Sequence, residues 1–203
     1  MFVIEGVNDI SFLKRISSTL HADDPSLPDL EEMERQGELI FIPFGGGHVR
    51  AWSHRLAPLG LNELHLYDQE LPPETDYRRK TAESVNQRER CRAVLTGKRS
   101  LENYLHPQAI LDAGEVHTVF DDSSNVPEVV AEQLYLRRQA ALQEATTWEQ
   151  LPAQLRGRRI HHTKKWLNSR AVERMTPALL RERDPDGEIL SWLQTIQQMA
   201  EDD

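Results

Sequence analysis

Apolar residues fall along the chain in short β-favouring runs separated by stretches of helical spacing. Phe2-Val3-Ile4 is the first run, too short for a helix and broken at Gly6. Ile10, Phe12, Leu13, Ile16 and Leu20 then recur at helical intervals, with Asn8 or Asp9 as the expected N-cap. Residues 21–37 are polar and include Pro25 and Pro28; their acidic part, 30–36, predicts a short helix. Residues 39–44 read as a buried strand that stops at Gly45-Gly46-Gly47. A helix over 48–59, begun by His48 and with Val49, Trp52, Leu56 and Leu59 on one face, and a third strand over 61–67 follow. A basic helix over about 77–90 leads into a fourth strand, 91–96. Strands alternating with helical crossovers predict a parallel α/β sheet.

The rest is predicted to be helical, over 127–145, 148–155, 163–174, 177–183 and 187–199, with Asn125 and Asp186 as start signals. The expected organisation is therefore an α/β domain over 1–112 and a helical C-terminal region over 113–203. With 203 residues and 38% hydrophobic content, the chain can bury a sizeable core. A single cysteine, Cys91, excludes a disulfide framework and a Cys-type zinc site. No apolar run approaches the ~18 residues of a membrane span, and the N-terminus lacks the pattern of a signal peptide, so a cytoplasmic location is expected.

Net charge is −9, which argues against binding nucleic acid by overall basicity. The average conceals segregation. Residues 78–99 hold eight bases (Arg78, Arg79, Lys80, Arg88, Arg90, Arg92, Lys98, Arg99) against two acids, and 156–174 hold seven against one. By contrast, 23–34 carry six acids and no base. Solvated helix surface is the plain explanation of such runs; a nucleic-acid backbone is the other.

The acids follow the predicted strand ends. Glu5 and Asp9 come after the first strand, Asp68 and Glu70 after the third, and Glu102 after the fourth. Right-handed crossovers bring the carboxyl ends of parallel strands to one edge, where ligands bind in open α/β sheets. Carboxylates gathered there raise one another's pKa unless protons or a divalent ion neutralise them. Mg²⁺ suits such a cluster, since it takes one or two carboxylates and keeps water and phosphate oxygens.

The ordered set Val3-Ile4-Glu5-Gly6-Val7-Asn8-Asp9, Phe44-Gly45-Gly46-Gly47, Tyr67-Asp68-Gln69-Glu70 and Ser100-Leu101-Glu102-Asn103-Tyr104-Leu105 resembles the Toprim domain, specifically that of OLD-family (overcoming lysogenization defect) ATP-dependent endonucleases. The resemblance covers about residues 2 to 110. It implies a Rossmann-like Toprim sheet and DNA cleavage with two Mg²⁺ or Mn²⁺ ions. By position, Glu5 and Asp9 would serve one metal, Asp68 would lie between both, and Glu70, Ser100 and Glu102 would serve the other. Where the family carries Asp-x-Asp this chain has Asp68-Gln69-Glu70, and the extra methylene shifts the second oxygen. His161-His162-Thr163-Lys164-Lys165-Trp166-Leu167 resembles the family's lysine segment, which puts the catalytic lysine at Lys164, with Lys165 the other register. Arg78, Arg79, Lys80, Lys98 and Arg99 would then hold the DNA backbone.

The family's ATPase module would precede this domain. The glycine triplet lacks the Gly-Lys-Ser/Thr of a phosphate-binding loop, so no ATP hydrolysis is expected, and an ATPase domain or subunit outside this chain is the expected partner. Two other readings stand beside the nuclease: a non-catalytic module that binds nucleic acid or an ATPase, and a receiver-like phosphoacceptor domain using Asp68. Tyr67 and Tyr104, possible nucleophiles by analogy with topoisomerases, are expected to pack beside the active edge instead.

Overall fold

The structure, a computed structural model, describes residues 1–45, 49–142 and 146–201. Four parallel strands form one sheet: β1 (Phe2–Ile4), β2 (Phe41–Pro43), β3 (Glu63–Tyr67) and β4 (Cys91–Leu95), in the order β2-β1-β3-β4. Phe2 sits beside Phe41 on one side and Leu64 on the other, and β3 and β4 run in register from Glu63↔Cys91 to Tyr67↔Leu95. The α/β architecture with a parallel, Rossmann-like sheet is thus as the alternating pattern predicts.

Both faces of the sheet are covered, as parallel sheets require. Phe2, Ile4, Leu64 and Leu66 face one side and pack into the main core with α1 (Val7–Asp23), α2 (Leu30–Gln36) and much of the C-terminal half. Val3, Tyr67 and Ala93 face the other and meet α3 (Val49–Trp52) and α4 (Glu74–Asn86). On that second face β3 also presents Glu63 and His65, which alternation alone leaves exposed or awkwardly buried. They are satisfied in a chain: Arg88 bonds the Glu63 carboxylate, which meets His65 Nε2 at 2.8 Å, and the Tyr67 hydroxyl meets His65 Nδ1 at 2.8 Å.

The remaining helices are α5 (Pro107–Gly114), α6 (Val126–Leu142), α7 (Ala153–Trp166), α8 (Pro177–Arg183) and α9 (Glu188–Glu201). The 112/113 division falls inside α5, and one apolar core runs across it, from Phe2 and Ile110 to Val130, Leu167 and Trp192. Sequence and structure differ at several ends. The helix expected over 48–59 is a single turn, α3, followed by a 3₁₀ turn at Ala57–Leu59 that contains Pro58, and Leu59 is exposed rather than on an apolar face. The basic helix starts three residues earlier, at Glu74. No helix forms over 148–150, where Trp148 instead packs against Tyr135 with ring centroids 5.8 Å apart. The helix expected from 163 begins ten residues earlier as α7 and passes at Leu167 into a π-helical turn, Leu167–Ala171. Asp184, not Asp186, starts α9, its carboxylate accepting from the backbone N–H groups of Glu188 and Ile189. Gly46, Gly47 and His48 lie outside the described residues, as do 143–145 at the expected end of α6.

Candidate active site

The strand order reverses direction between β1 and β3, since the chain moves from β1 out to β2 and then back past β1 to β3 and β4. At such a switch point the loops after the two strands part and leave a crevice outside their carboxyl ends. Glu5 follows β1 and Asp68 follows β3, so the two acids stand on either side of it.

Asp9 comes to the crevice by local geometry. Gly6 is the N-cap of α1 in extended conformation with no capping side chain, so neither Asn8 nor Asp9 caps the helix as the sequence suggested. Asp9 is the third residue of the first turn, from which a side chain folds back on the N-cap, and the Gly6 N–H helps hold its carboxylate. It is 2% exposed, and its Oδ1 has no hydrogen-bond partner.

Glu102 lies in a 3₁₀ turn, Leu101–Tyr104, that a reciprocal cap between Ser100 and Asn103 starts. Ser100 Oγ donates to Glu102 Oε2 at 2.8 Å. From the far half of the chain, Asn168 Nδ2 donates to Glu102 Oε1 at 2.6 Å and to the Lys164 carbonyl at 2.8 Å. Lys164 Nζ stands 3.4 Å from Glu102 Oε1 and 3.7 Å from Asp9 Oδ1. The last turn of α7 therefore delivers the ammonium, and the π-helical turn after it aims Asn168 at the same carboxylate. Lys165 is exposed, one helical step away, so the geometry favours Lys164 over Lys165.

Charge is not balanced within this cluster. Burial pushes the Asp9 carboxyl up to about 7; Lys164 opposes the rise, and Glu102 and Glu5 add to it. Burial likewise holds Asp68 well above the carboxylate range, reinforced by Asp9. Burial also works against the charge on Lys164, but Glu102, Asp9 and Asp68 outweigh it and raise the ammonium above its ordinary 10.5. Glu5, Asp9, Asp68, Glu102 and Lys164 thus act on one another electrostatically as a single group.

The other predicted residues divide. Glu70 and Ser100 line a cavity of about 310 Å³ with Glu102 and Lys164. Glu70 has a left-handed backbone (φ 53°), uncommon for a residue with a side chain, and its carboxylate is taken by Arg99 Nε at 3.4 Å. Arg78 is not on the surface: it is 4% exposed, and its Nη1 donates to Glu5 Oε2 at 2.9 Å and to the Asp68 carbonyl at 3.1 Å. It braces the acid cluster rather than offering itself to DNA. Lys98 is also engaged, with Asp122 at 2.9 Å. Arg79 and Lys80 remain exposed on α4. The tyrosine hydroxyls of Tyr67 and Tyr104 are buried, which pushes both above the usual phenol range. Asn168 was missed by sequence reasoning; its spacing of four from Lys164, one helical turn, was the available signal.

Among the described residues, no three His, Cys, Asp or Glu side chains already converge as a metal-holding group. No helix among them is long and apolar enough to cross a membrane. Compared with protein-family models, curated proteins and solved structures, the chain matches none.

Proposed function

We propose that this chain is a metal-dependent DNA endonuclease of Toprim type, working with two Mg²⁺ or Mn²⁺ ions and with an ATPase domain or subunit supplied from elsewhere. The observation that carries the reading is the buried cluster at the switch point: carboxylates from the ends of three strands meet one lysine from the distant α7, and Asp9 Oδ1 faces that lysine without a hydrogen bond. Buried acids held above their ordinary pKa are what a cation-binding or proton-handling site needs, and an ordinary core does not keep them.

The donor set fits hard divalent ions, since Glu5, Asp9, Asp68 and Glu102 offer carboxylate oxygens, one of them without a hydrogen bond. Glu5, Asp9 and Asp68 would hold one such ion, and Asp68 and Glu102 another, with Glu70 joining if Arg99 releases it. When bound, the ions lower the pKa of water and neutralise charge developing on phosphate oxygens. Arg78 fixes the direction of Glu5, while Ser100 and Asn168 fix that of Glu102. The Lys164 ammonium, 28% exposed and charged throughout the neutral range, is positioned to meet a phosphodiester that enters the cavity.

Cleavage of supercoiled plasmid tests this, with Mg²⁺, Mn²⁺, Ca²⁺ or chelator and with Asp68→Ala beside the wild type. Cleavage supported by Mg²⁺ or Mn²⁺ and abolished in Asp68→Ala is the expected result. Metal binding without cleavage, also in the presence of an ATPase partner, would instead identify a non-catalytic module.

A further inference from the structure

A second groove, of about 520 Å³, lies on the opposite face of the sheet from the main core, between α3 with the turn after it and one stripe of α4. Arg50 and His54 form one wall; Tyr77, Lys80 and Ser84 form the other, at helical spacing along α4. Buried Ser53 and Thr81 make its floor. In a chain of net charge −9, its lining contains no carboxylate, and neither Arg50 nor Lys80 is in an ion pair among the described residues. The walls are fixed in place: Ser84 Oγ and His54 Nε2 are 3.3 Å apart across the groove, and Arg88 Nη1 donates to the Ser53 carbonyl at 2.6 Å.

Tyr77 is 64% exposed in the groove wall, so its ring offers a free face for stacking beside Arg50 and Lys80. Next to it in sequence, Arg78 turns inward to Glu5, so the helix that lines the groove also braces the acid cluster. From this combination we infer that the groove holds a single-stranded DNA segment, with Arg50 and Lys80 on its phosphates and a base stacked on Tyr77. A duplex hides the faces of its bases, whereas single strands pair a basic track with stacking aromatics. The inference deepens the nuclease reading by naming the form of its substrate.

Fluorescence anisotropy of a labelled oligodeoxythymidine and of a blunt duplex, in chelator, tests it on the full chain. Tyr77→Ala is expected to weaken single-strand binding roughly 5- to 100-fold and to leave duplex binding unchanged, with Tyr77→Trp restoring the affinity. Arg50→Gln with Lys80→Gln is expected to flatten the salt dependence of single-strand binding by about 1.4 in log–log slope, ~0.7 per lost phosphate contact. All three residues are exposed, so the variants should fold, and circular dichroism checks this. Unchanged single-strand affinity and slope, or equal losses for duplex and single strand in Tyr77→Ala, would overturn the inference. Cleavage of supercoiled plasmid and of a single-stranded DNA circle, each with Asp68→Ala beside the wild type, separates the two ideas. Groove-dependent binding without metal-dependent cleavage leaves the groove standing and sinks the nuclease, while Asp68-dependent cleavage untouched by the groove variants does the reverse.

Discussion

Neutralising Asp9 should stabilise the fold, although Asp9 belongs to the proposed site. Raising its carboxyl from the ordinary 3.8 to about 7 corresponds to ~4 kcal/mol of unfavourable free energy for the ionised form in the folded chain. The folded-state value lies above the unfolded one, so Asp9 contributes its full stabilising share below about 3.8 and loses it as pH rises through about 7. Asp9→Asn keeps an oxygen for the Gly6 N–H and removes the charge. Because Asp68 and Lys164 readjust, the expected gain near neutral pH in chelator is about 1–3 kcal/mol rather than the full amount. Urea unfolding between about pH 5 and pH 8 measures it: the wild type should weaken as pH rises, and Asp9→Asn should follow a flatter curve. Added Mg²⁺ should stabilise the wild type and do much less for the variant, since a ligand stabilises only the state that binds it. A destabilised Asp9→Asn at neutral pH in chelator would refute the claim that unbalanced negative charge is stored in this cluster.

Three further outcomes follow from particular contacts. Lys164→Met removes the cation that faces Asp9 and Glu102 and should cost roughly 2–4 kcal/mol, below the ~3–5 of a wholly buried pair because the side chain is 28% exposed; it should also abolish cleavage, whereas Lys165→Met should match the wild type in both assays. Arg78→Ala, which strands the Glu5 carboxylate and the Asp68 carbonyl, should lower stability by about 3–5 kcal/mol in denaturant melts, while Lys80→Ala should stay within ~0.5 kcal/mol. In Gly114→Ala the new methyl would come within 2.7 Å of Trp166 Cζ2, so a loss of ~1–3 kcal/mol is expected, and wild-type stability there would show that α5 and α7 are not closely packed.

The sequence by itself determined the sheet and the addresses of its acids. Four β-favouring runs, each ended by glycine or acid, specify parallel strands, because their spacing leaves room only for helical crossovers; Glu5, Asp68 and Glu102 then stand at strand ends whatever packs around them. What the pattern could not decide was the order of the strands, and hence that β1 and β3 flank the switch point, since strand order is set by which faces bury best and not by any one segment. Nor could local spacing tell which of the arginines on α4 turns inward. Arg78 looks the same as Arg79 and Lys80 in a basic run, and only the proximity of Glu5, 73 positions away, separates the brace of the acid cluster from the exposed bases. Asn168 and Lys164 meet Glu102 for the same reason: a contact across 66 positions is made by the packing of α7 and its π-helical turn against the sheet edge, and long-range packing leaves no periodic trace in the chain.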